Sequence, residues 1–127
     1  MKLALDTNRY VDLMISVPEV VRRVESAAEI VMPFAVLAEL KAGFIHGTRR
    51  AHNEQILSKF LARPVVRPVY ADEATVAEYA VLSADLRRRG KAIPHNDLWI
   101  AALCVQHGLM LYTRDAHFDY LPQVARL

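Results

Sequence analysis

The chain alternates between short apolar runs and longer segments in which apolar residues recur every three or four positions. A short apolar run is typical of a buried strand, whereas the three-to-four spacing is typical of an amphipathic helix. The predicted strands are 3–5, 29–32, 65–69 and 109–113, and the predicted helices are 9–16, 18–28, 34–45, 49–61, 73–89 and 97–107. Strands that alternate with helices predict a parallel α/β sandwich.

Capping residues and prolines mark the predicted boundaries. Small polar side chains at a helix start accept hydrogen bonds from free backbone N–H groups. The predicted N-caps of the second, fourth, fifth and sixth helices are Ser16, Thr48, Asp72 and Asn96. Pro68 lacks a backbone donor, so the third strand is predicted to be an edge strand or very short. The tail 118–127 is predicted to add a short helix and a last strand, and no repeat or linker divides the domain predicted for residues 1–127.

The composition is that of an ordinary globular domain. Hydrophobic residues make up 54% of the chain and charged residues 24%, with only four glycines, which excludes disordered and collagen-like proteins. Asp6 interrupts the first apolar run, and no later run reaches membrane-spanning length, so we expect a cytoplasmic protein without membrane contact. Cys104, the single cysteine, cannot form an internal disulfide, and its apolar neighbours predict a packed thiol.

Four carboxylates lie at positions that a solvated surface does not explain well. Asp6 ends the first strand and Asp115 follows the last one, and the carboxyl ends of parallel strands share one edge of the sheet. Glu39 is the only charge within 31–40, and Asp97 begins the most apolar helix. Each aspartate after Asp6 has a structural alternative: Asp97 can stabilise a helix dipole, and Asp115 can cap a short helix.

Convergence of these four acids predicts a divalent metal site. Carboxylates gathered at one sheet edge repel each other unless cations bind or their pKa values rise, and hard oxygen ligands select Mg²⁺ or Mn²⁺. The five histidines show neither an i, i+4 pair nor thiolate companions, so none is predicted as a ligand. The formal charge is +2, and without these four acids the other 16 basic and 10 acidic residues leave +6. A basic surface around an acidic pocket suits a polyanionic partner.

The motifs at these positions resemble a known family. They are Leu5–Asn8, Ala38–Leu40 with Gly43 four residues after the acid, Asn96–Ala102, and Thr113–Asp115. In order and spacing they resemble the PIN domain, and the length is similar to that of the VapC-type toxins of bacterial toxin–antitoxin pairs. The resemblance extends over the whole chain and implies a three-layer sandwich in which helices flank a short parallel sheet.

The resemblance also implies a Mg²⁺-dependent endoribonuclease, with Mn²⁺ as an alternative metal. The implied catalytic and metal-binding residues are Asp6, Glu39, Asp97 and Asp115. Supporting hydrogen-bonding residues are Thr7, Asn8, Asn96 and Thr113. The fourth acidic position varies within the family, so Asp119 is an alternative to Asp115. Arg9 departs from the family pattern, where a smaller or apolar residue is usual. Implied partners are an RNA substrate, a small antitoxin protein and a second copy of the chain.

Basic residues near the motifs are candidates for contact with RNA phosphates. The candidates are Arg9, Arg87, Arg88, Arg89, Lys91 and Arg114, with Arg49 and Arg50 as further possibilities. The run 87–89 has a structural alternative, because cations in the last turn of a helix stabilise its dipole. Trp99 and Tyr10 are predicted as core or interface residues.

Two other functions compete with the nuclease reading. A non-catalytic domain of the same fold would bind RNA or the antitoxin without metal. A phosphoacceptor signalling domain would need paired acids after the first strand and a lysine after a late strand, and neither is present.

Overall fold

The computed structural model describes all 127 residues. The strands are β1 (Lys2–Leu5), β2 (Glu29–Pro33), β3 (Val66–Val69) and β4 (Met110–Tyr112). The helices are α1 (Thr7–Met14), α2 (Pro18–Ser26), α3 (Phe34–His46), α4 (Arg50–Leu61), α5 (Glu73–Arg88) and α6 (His95–His107), and a final 3-10 helix covers Ala116–Tyr120. The predicted α/β sandwich with a short parallel sheet and flanking helices is confirmed.

The four strands form one parallel sheet in the order β3-β2-β1-β4. β1 is central and β3 lies at an edge, as Pro68 predicts. Because all strands run the same way, residues that follow β1 and β4 meet at one edge of the sheet. In the register of this pair, Leu5 lies opposite Tyr112, and the Asp6 N–H donates to the Tyr112 carbonyl at 3.1 Å.

The core is formed by apolar side chains of the sheet and of the helices that cover it. Leu3, Leu5, Leu103, Leu111 and Phe118 are all completely buried. Tyr10 and Cys104 are also buried, as predicted. Trp99 is partly buried and packs against the core. None of the helices combines the length and the apolar composition needed to cross a membrane.

Three predicted N-caps are wrong. The N-cap of α2 is Val17 and not Ser16, which has a positive φ of 59°. The N-cap of α4 is Arg49 and not Thr48. The α6 helix begins at His95 because Pro94, in an extended conformation, already sets the chain direction. Asn96 therefore lies inside the first turn of α6. Its side chain is free to reach Glu39, to which Nδ2 donates at 3.4 Å.

Two other boundaries differ from the prediction, and one is confirmed. α1 begins two residues early, because Asp6 itself caps it by accepting a hydrogen bond from the Thr7 N–H. The predicted last strand is only an isolated bridge between Leu111 and Arg126. Asp72 caps α5 as predicted, in a reciprocal arrangement with Thr75.

Candidate functional site

Four carboxylates that are distant in the sequence meet where β1 and β4 end and α6 begins. Asp6, Glu39, Asp97 and Asp115 line one cavity of about 550 Å³ that has no hydrophobic lining residue. We call this cavity the carboxylate pocket. The predicted convergence of these four side chains is therefore present in the structure.

Asp6 is held rigidly at the bottom of the carboxylate pocket. It is 4% exposed, and its carboxylate accepts hydrogen bonds from the Thr7 N–H at 2.8 Å and from Thr113 Oγ1 at 2.7 Å. Burial raises the pKa of Asp6, and the negative charges of Glu39 and Asp115 raise it further, while the two hydrogen bonds partly offset this rise. The charged form of Asp6 is therefore less stable than that of a solvent-exposed aspartate.

Glu39 reaches the carboxylate pocket from the middle of α3. Its side chain accepts hydrogen bonds from Thr7 Oγ1 at 2.9 Å and from Asn96 Nδ2 at 3.4 Å. No lysine, arginine or histidine pairs with it. A charge in an apolar segment is tolerated here because the side chain points into a polar cavity and is oriented by two neutral donors.

Asp97 and Asp115 share the side chain of His117. The His117 Nδ1 atom lies 2.9 Å from Asp97 Oδ2 and 3.1 Å from Asp115 Oδ1. Burial raises the pKa of Asp97 to about 6, with a further contribution from Asp115 and Asp6, although His117 opposes the rise. The hydrogen bond to Asp97 raises the pKa of His117.

Asp115 caps a short helix, as the structural alternative predicted, and its side chain also lies in the carboxylate pocket. It caps the 3-10 helix, since Oδ1 accepts from the His117 N–H at 2.9 Å, and it also lines the carboxylate pocket. The structure does not support Asp119 as the alternative fourth acid of the pocket. Its side chain is exposed, pairs with Arg126 at 2.6 Å and does not line the pocket. The turn of the 3-10 helix directs it away.

His117 is a pocket residue that the sequence analysis missed. One ligand atom from each of Asp97, Asp115 and His117 lies within 4.8 Å of the others. Excluding histidines by the absence of an i, i+4 pair overlooked a ligand set that is assembled between different elements. The available signal was its position two residues after Asp115, at the start of the short helix that Asp115 caps.

Asp12 is a second missed residue, buried beside the pocket. Arg114 donates to both of its carboxylate oxygens, at 3.2 and 3.1 Å, and Arg9 donates at 3.2 Å. The hydrogen bonds from Arg114, followed by those from Arg9, lower the pKa of Asp12 despite its burial. Arg9 and Arg114, two of the predicted RNA-binding cations, therefore form ion pairs with Asp12. The Arg114 side chain remains 57% exposed, and its backbone N–H donates to Asn8 at 3.3 Å.

Of the other predicted RNA-binding cations, Arg49 and Arg50 lie at the start of α4, and the rest lie at or just beyond the end of α5. Arg88 and Arg89 both pair with Asp85, whereas Arg87 and Lys91 line a second cavity. Arg87 and Arg88 occupy the last turn of α5, so the alternative role in stabilising the helix dipole is compatible with their position.

The residues present fit a divalent cation. The carboxylate pocket offers hard oxygen donors, which suit Mg²⁺ and Mn²⁺. Burial, together with the neighbouring carboxylates, raises the pKa values of Asp6 and Asp97, so a bound cation would stabilise their charged forms. The donors that could hold the ion are Asp6, Glu39, Asp97 and Asp115, with His117 adjacent.

Comparison with known proteins gives one consistent family. The family model described as "PIN domain" matches residues 3–124. Ribonuclease VapC4 of Mycobacterium tuberculosis is 32% identical over 88 residues, which are 69% of this chain and 68% of that protein. A chain in the crystal structure of VapBC2 from Rickettsia felis bound to a promoter DNA fragment has a TM-score of 0.89 at 25% identity, covering 100% of this chain and 98% of that one.

A second solved structure agrees with the first. A chain of VapBC-1 from nontypeable Haemophilus influenzae has a TM-score of 0.88 at 25% identity, covering 100% of this chain and 97% of that one. The family match spans nearly the whole chain, including every element that contributes an acid to the carboxylate pocket. The chain therefore belongs to the PIN domain family.

Proposed function

We propose that this chain is the toxin ribonuclease of a VapBC-type toxin–antitoxin pair and that it hydrolyses RNA with a divalent cation, Mg²⁺ or Mn²⁺. The observation that carries the proposal is the meeting of Asp6, Glu39, Asp97 and Asp115 in one pocket without a hydrophobic lining residue. Oxygen donors gathered in this way suit a divalent ion, and a pocket without an apolar lining offers little to an apolar ligand.

The pocket residues have separate tasks in this proposal. The four carboxylates hold the cation, while Thr7 and Asn96 orient Glu39 and Thr113 orients Asp6. When bound, the cation supplies Lewis-acid chemistry that activates water and stabilises negative charge on a phosphodiester.

Water rather than a side chain is the nucleophile in this reaction. The hydroxyl groups of Thr7 and Thr113 already donate to carboxylates, and the one cysteine, Cys104, is buried in the core. Hydrolysis by water in this way leaves a 5′-phosphate and a 3′-hydroxyl on the products.

The proposal includes the partners of a toxin of this type. Solved structures that match this chain include complexes described as VapBC. By analogy, a small antitoxin covers the pocket of this chain until it is released, and two copies of the chain associate. The proposed site of action is the cytoplasm, because the RNA substrate is present there.

Expression in a bacterial host tests the activity. We expect the wild-type chain to slow growth and to create new RNA ends, whereas Asp6→Asn does neither, because it removes the charge of one of the four carboxylates that would hold the cation. Asp119→Asn is the matched control, since Asp119 is an exposed aspartate outside the pocket. Equal growth and identical RNA ends for wild type and Asp6→Asn would refute the ribonuclease proposal.

Metal dependence is tested on the purified chain. We expect EDTA to stop RNA cleavage and Mg²⁺ or Mn²⁺ to restore it. Calorimetric titration with Mn²⁺ should show binding to wild type and to Asp119→Asn but much weaker binding to Asp6→Asn. Wild-type protein that binds RNA without binding Mn²⁺ would instead support the non-catalytic domain.

A further inference from the structure

A second cavity adjoins the carboxylate pocket. It has a volume of about 340 Å³ and lies between the end of α5, the segment 90–93 and the start of α6. This volume is within the usual range for small-ligand sites, roughly 300–1,000 Å³. His95 lines both cavities, so they meet at this side chain. We call the second one the loop cavity.

The lining of the loop cavity combines an apolar wall with positive charge. Leu86, Ile93 and Leu98 supply the apolar part, in which Leu86 and Leu98 are 3% and 4% exposed and Ile93 is partly buried. Arg87 and Lys91 supply the cations. No aspartate or glutamate lines it. This chemistry differs from that of the carboxylate pocket and matches a ligand with a flat, weakly polar ring and an attached anion, which is the chemistry of a nucleotide.

Arg87 and Lys91 differ from the neighbouring arginines because they form no ion pair within the chain. Arg88 and Arg89 both pair with Asp85, whereas Arg87 forms no ion pair and lines the cavity. Lys91 also forms no ion pair, and its ammonium lies 5.0 Å from the centre of the Tyr120 ring. Arg87 and Lys91 therefore remain available to an external phosphate.

His95, where the two cavities meet, contacts a row of packed aromatic side chains. Its Nδ1 lies 2.7 Å from the hydroxyl of Tyr79, the Tyr79 ring packs on Trp99 with centroids 4.3 Å apart, and Trp99 contacts Phe34 edge-on. Tyr79 and Trp99 are only partly buried. The Tyr79 hydroxyl therefore orients the exposed His95 ring where the two cavities meet.

We propose that the loop cavity binds one unpaired nucleotide of a single-stranded RNA next to the phosphodiester that is cut. The base lies against the partly buried Ile93, with the buried side chains of Leu86 and Leu98 beneath it. Its phosphate contacts Arg87 and Lys91, and the strand passes His95 to reach the carboxylate pocket. The nucleotide must be unpaired, because a base in a duplex cannot enter a cavity of this kind. This inference rests on the proposed ribonuclease function.

Binding of a labelled RNA tests the inference without requiring cleavage. The probe is a fluorescein-labelled single-stranded RNA of about 12 nucleotides, and the protein carries Asp6→Asn so that the probe stays intact. Fluorescence anisotropy is measured as a function of salt for this protein, for the same protein with Arg87→Ala and Lys91→Ala, and for the same protein with Arg88→Ala. Circular dichroism confirms that each variant is folded.

The two sets of variants give different outcomes if the inference is right. We expect the Arg87→Ala and Lys91→Ala protein to bind the RNA about tenfold or more weakly, and the slope of log K against log salt to become shallower by about 1.4, since two phosphate contacts are lost. Arg88→Ala removes a charge from the same turn and should change affinity by about twofold or less. Equal losses in both proteins, or no loss in either, would overturn the inference.

A modified RNA substrate tests whether a base binds to the apolar part of the loop cavity. After the cut site is mapped with wild-type protein, each neighbouring nucleotide is made abasic in turn. One position should raise KM by about fivefold or more with a smaller change in kcat, and the effect should shrink in the Arg87→Ala and Lys91→Ala protein. The same KM for every abasic position would refute a base-binding cavity.

Failure of the inference and failure of the proposed function are distinguishable. If wild type cleaves RNA and the loop-cavity variants bind and cleave as wild type does, the function stands and the inference falls. If wild type cleaves no RNA, the ribonuclease proposal falls, and the anisotropy comparison still decides whether Arg87 and Lys91 bind a strand. RNA that does not bind the Asp6→Asn protein at all would overturn the inference, and cleavage by wild type would then decide the function by itself.

Discussion

Replacing Asp97 by asparagine should stabilise the metal-free protein at neutral pH. Asp97 is 6% exposed, and its pKa is raised from 3.8 to about 6. The folded state therefore binds this proton more tightly than the unfolded state does. For this group, the free energy of unfolding is highest below about pH 4, falls as the pH rises through about 6, and is constant above about pH 7.

The size of the effect follows from the shift in pKa. A shift from 3.8 to about 6 corresponds to about 3 kcal/mol at 1.36 kcal/mol per unit. This is an upper value, because asparagine also removes the charged partner of His117, whose raised pKa depends on Asp97. Asp97→Asn should thus gain up to about 3 kcal/mol near pH 8 and about nothing near pH 4.

Urea unfolding in EDTA measures this difference. The fluorescence of the single tryptophan, Trp99, two residues from Asp97, reports the transition. Asp119→Asn is the control and should change stability by less than about 1 kcal/mol at both pH values, since its partner Arg126 is at the surface. Adding Mn²⁺ should stabilise wild type and have a smaller effect on Asp97→Asn. An Asp97→Asn protein that is less stable than wild type near pH 8, or equally more stable at both pH values, would refute this reasoning.

Three other predictions concern stability and reactivity. Phe118→Ala should lower the free energy of unfolding by about 3–5 kcal/mol in urea, because the ring is completely buried; a loss below about 1 kcal/mol would contradict this packing. Thr75→Val should cost about 1–3 kcal/mol in the same assay, since the buried hydroxyl bonds to Asp72 and Gln106, and an unchanged midpoint would be inconsistent with that network. Cys104 should react with iodoacetamide far more slowly in the native protein than in urea, because burial raises the pKa of its thiol to about 12; equal rates by mass spectrometry would show that the thiol is accessible.

The sequence predicts those parts of the structure that depend on local chemistry or on the direction of the strands. Asp72 caps α5 through Thr75, three residues away, and Pro68 marks the edge strand. The pocket position of Asp6 and Asp115 follows from parallel pairing alone, because any two residues that follow neighbouring parallel strands lie at the same edge.

The features that could not be predicted depend on partners distant in the sequence. His117 contacts Asp97, 20 residues away, and Asp12 is buried because Arg114, 102 residues away, pairs with it. Asn96 has a good capping side chain, yet Glu39 competes for it and Pro94 can start the helix instead. In each case tertiary contacts decide between two locally acceptable arrangements.

The pairing of β1 with β4 has a consequence for how the carboxylate pocket assembles during folding. β1 leads into Asp6, whereas the loop that carries Thr113 and Asp115 follows β4, and the Thr113–Asp6 hydrogen bond joins residues 107 positions apart. Contacts between segments so far apart form late, because a long loop must first be closed. A chain in which β4 has not yet docked on β1 therefore lacks one wall of the pocket.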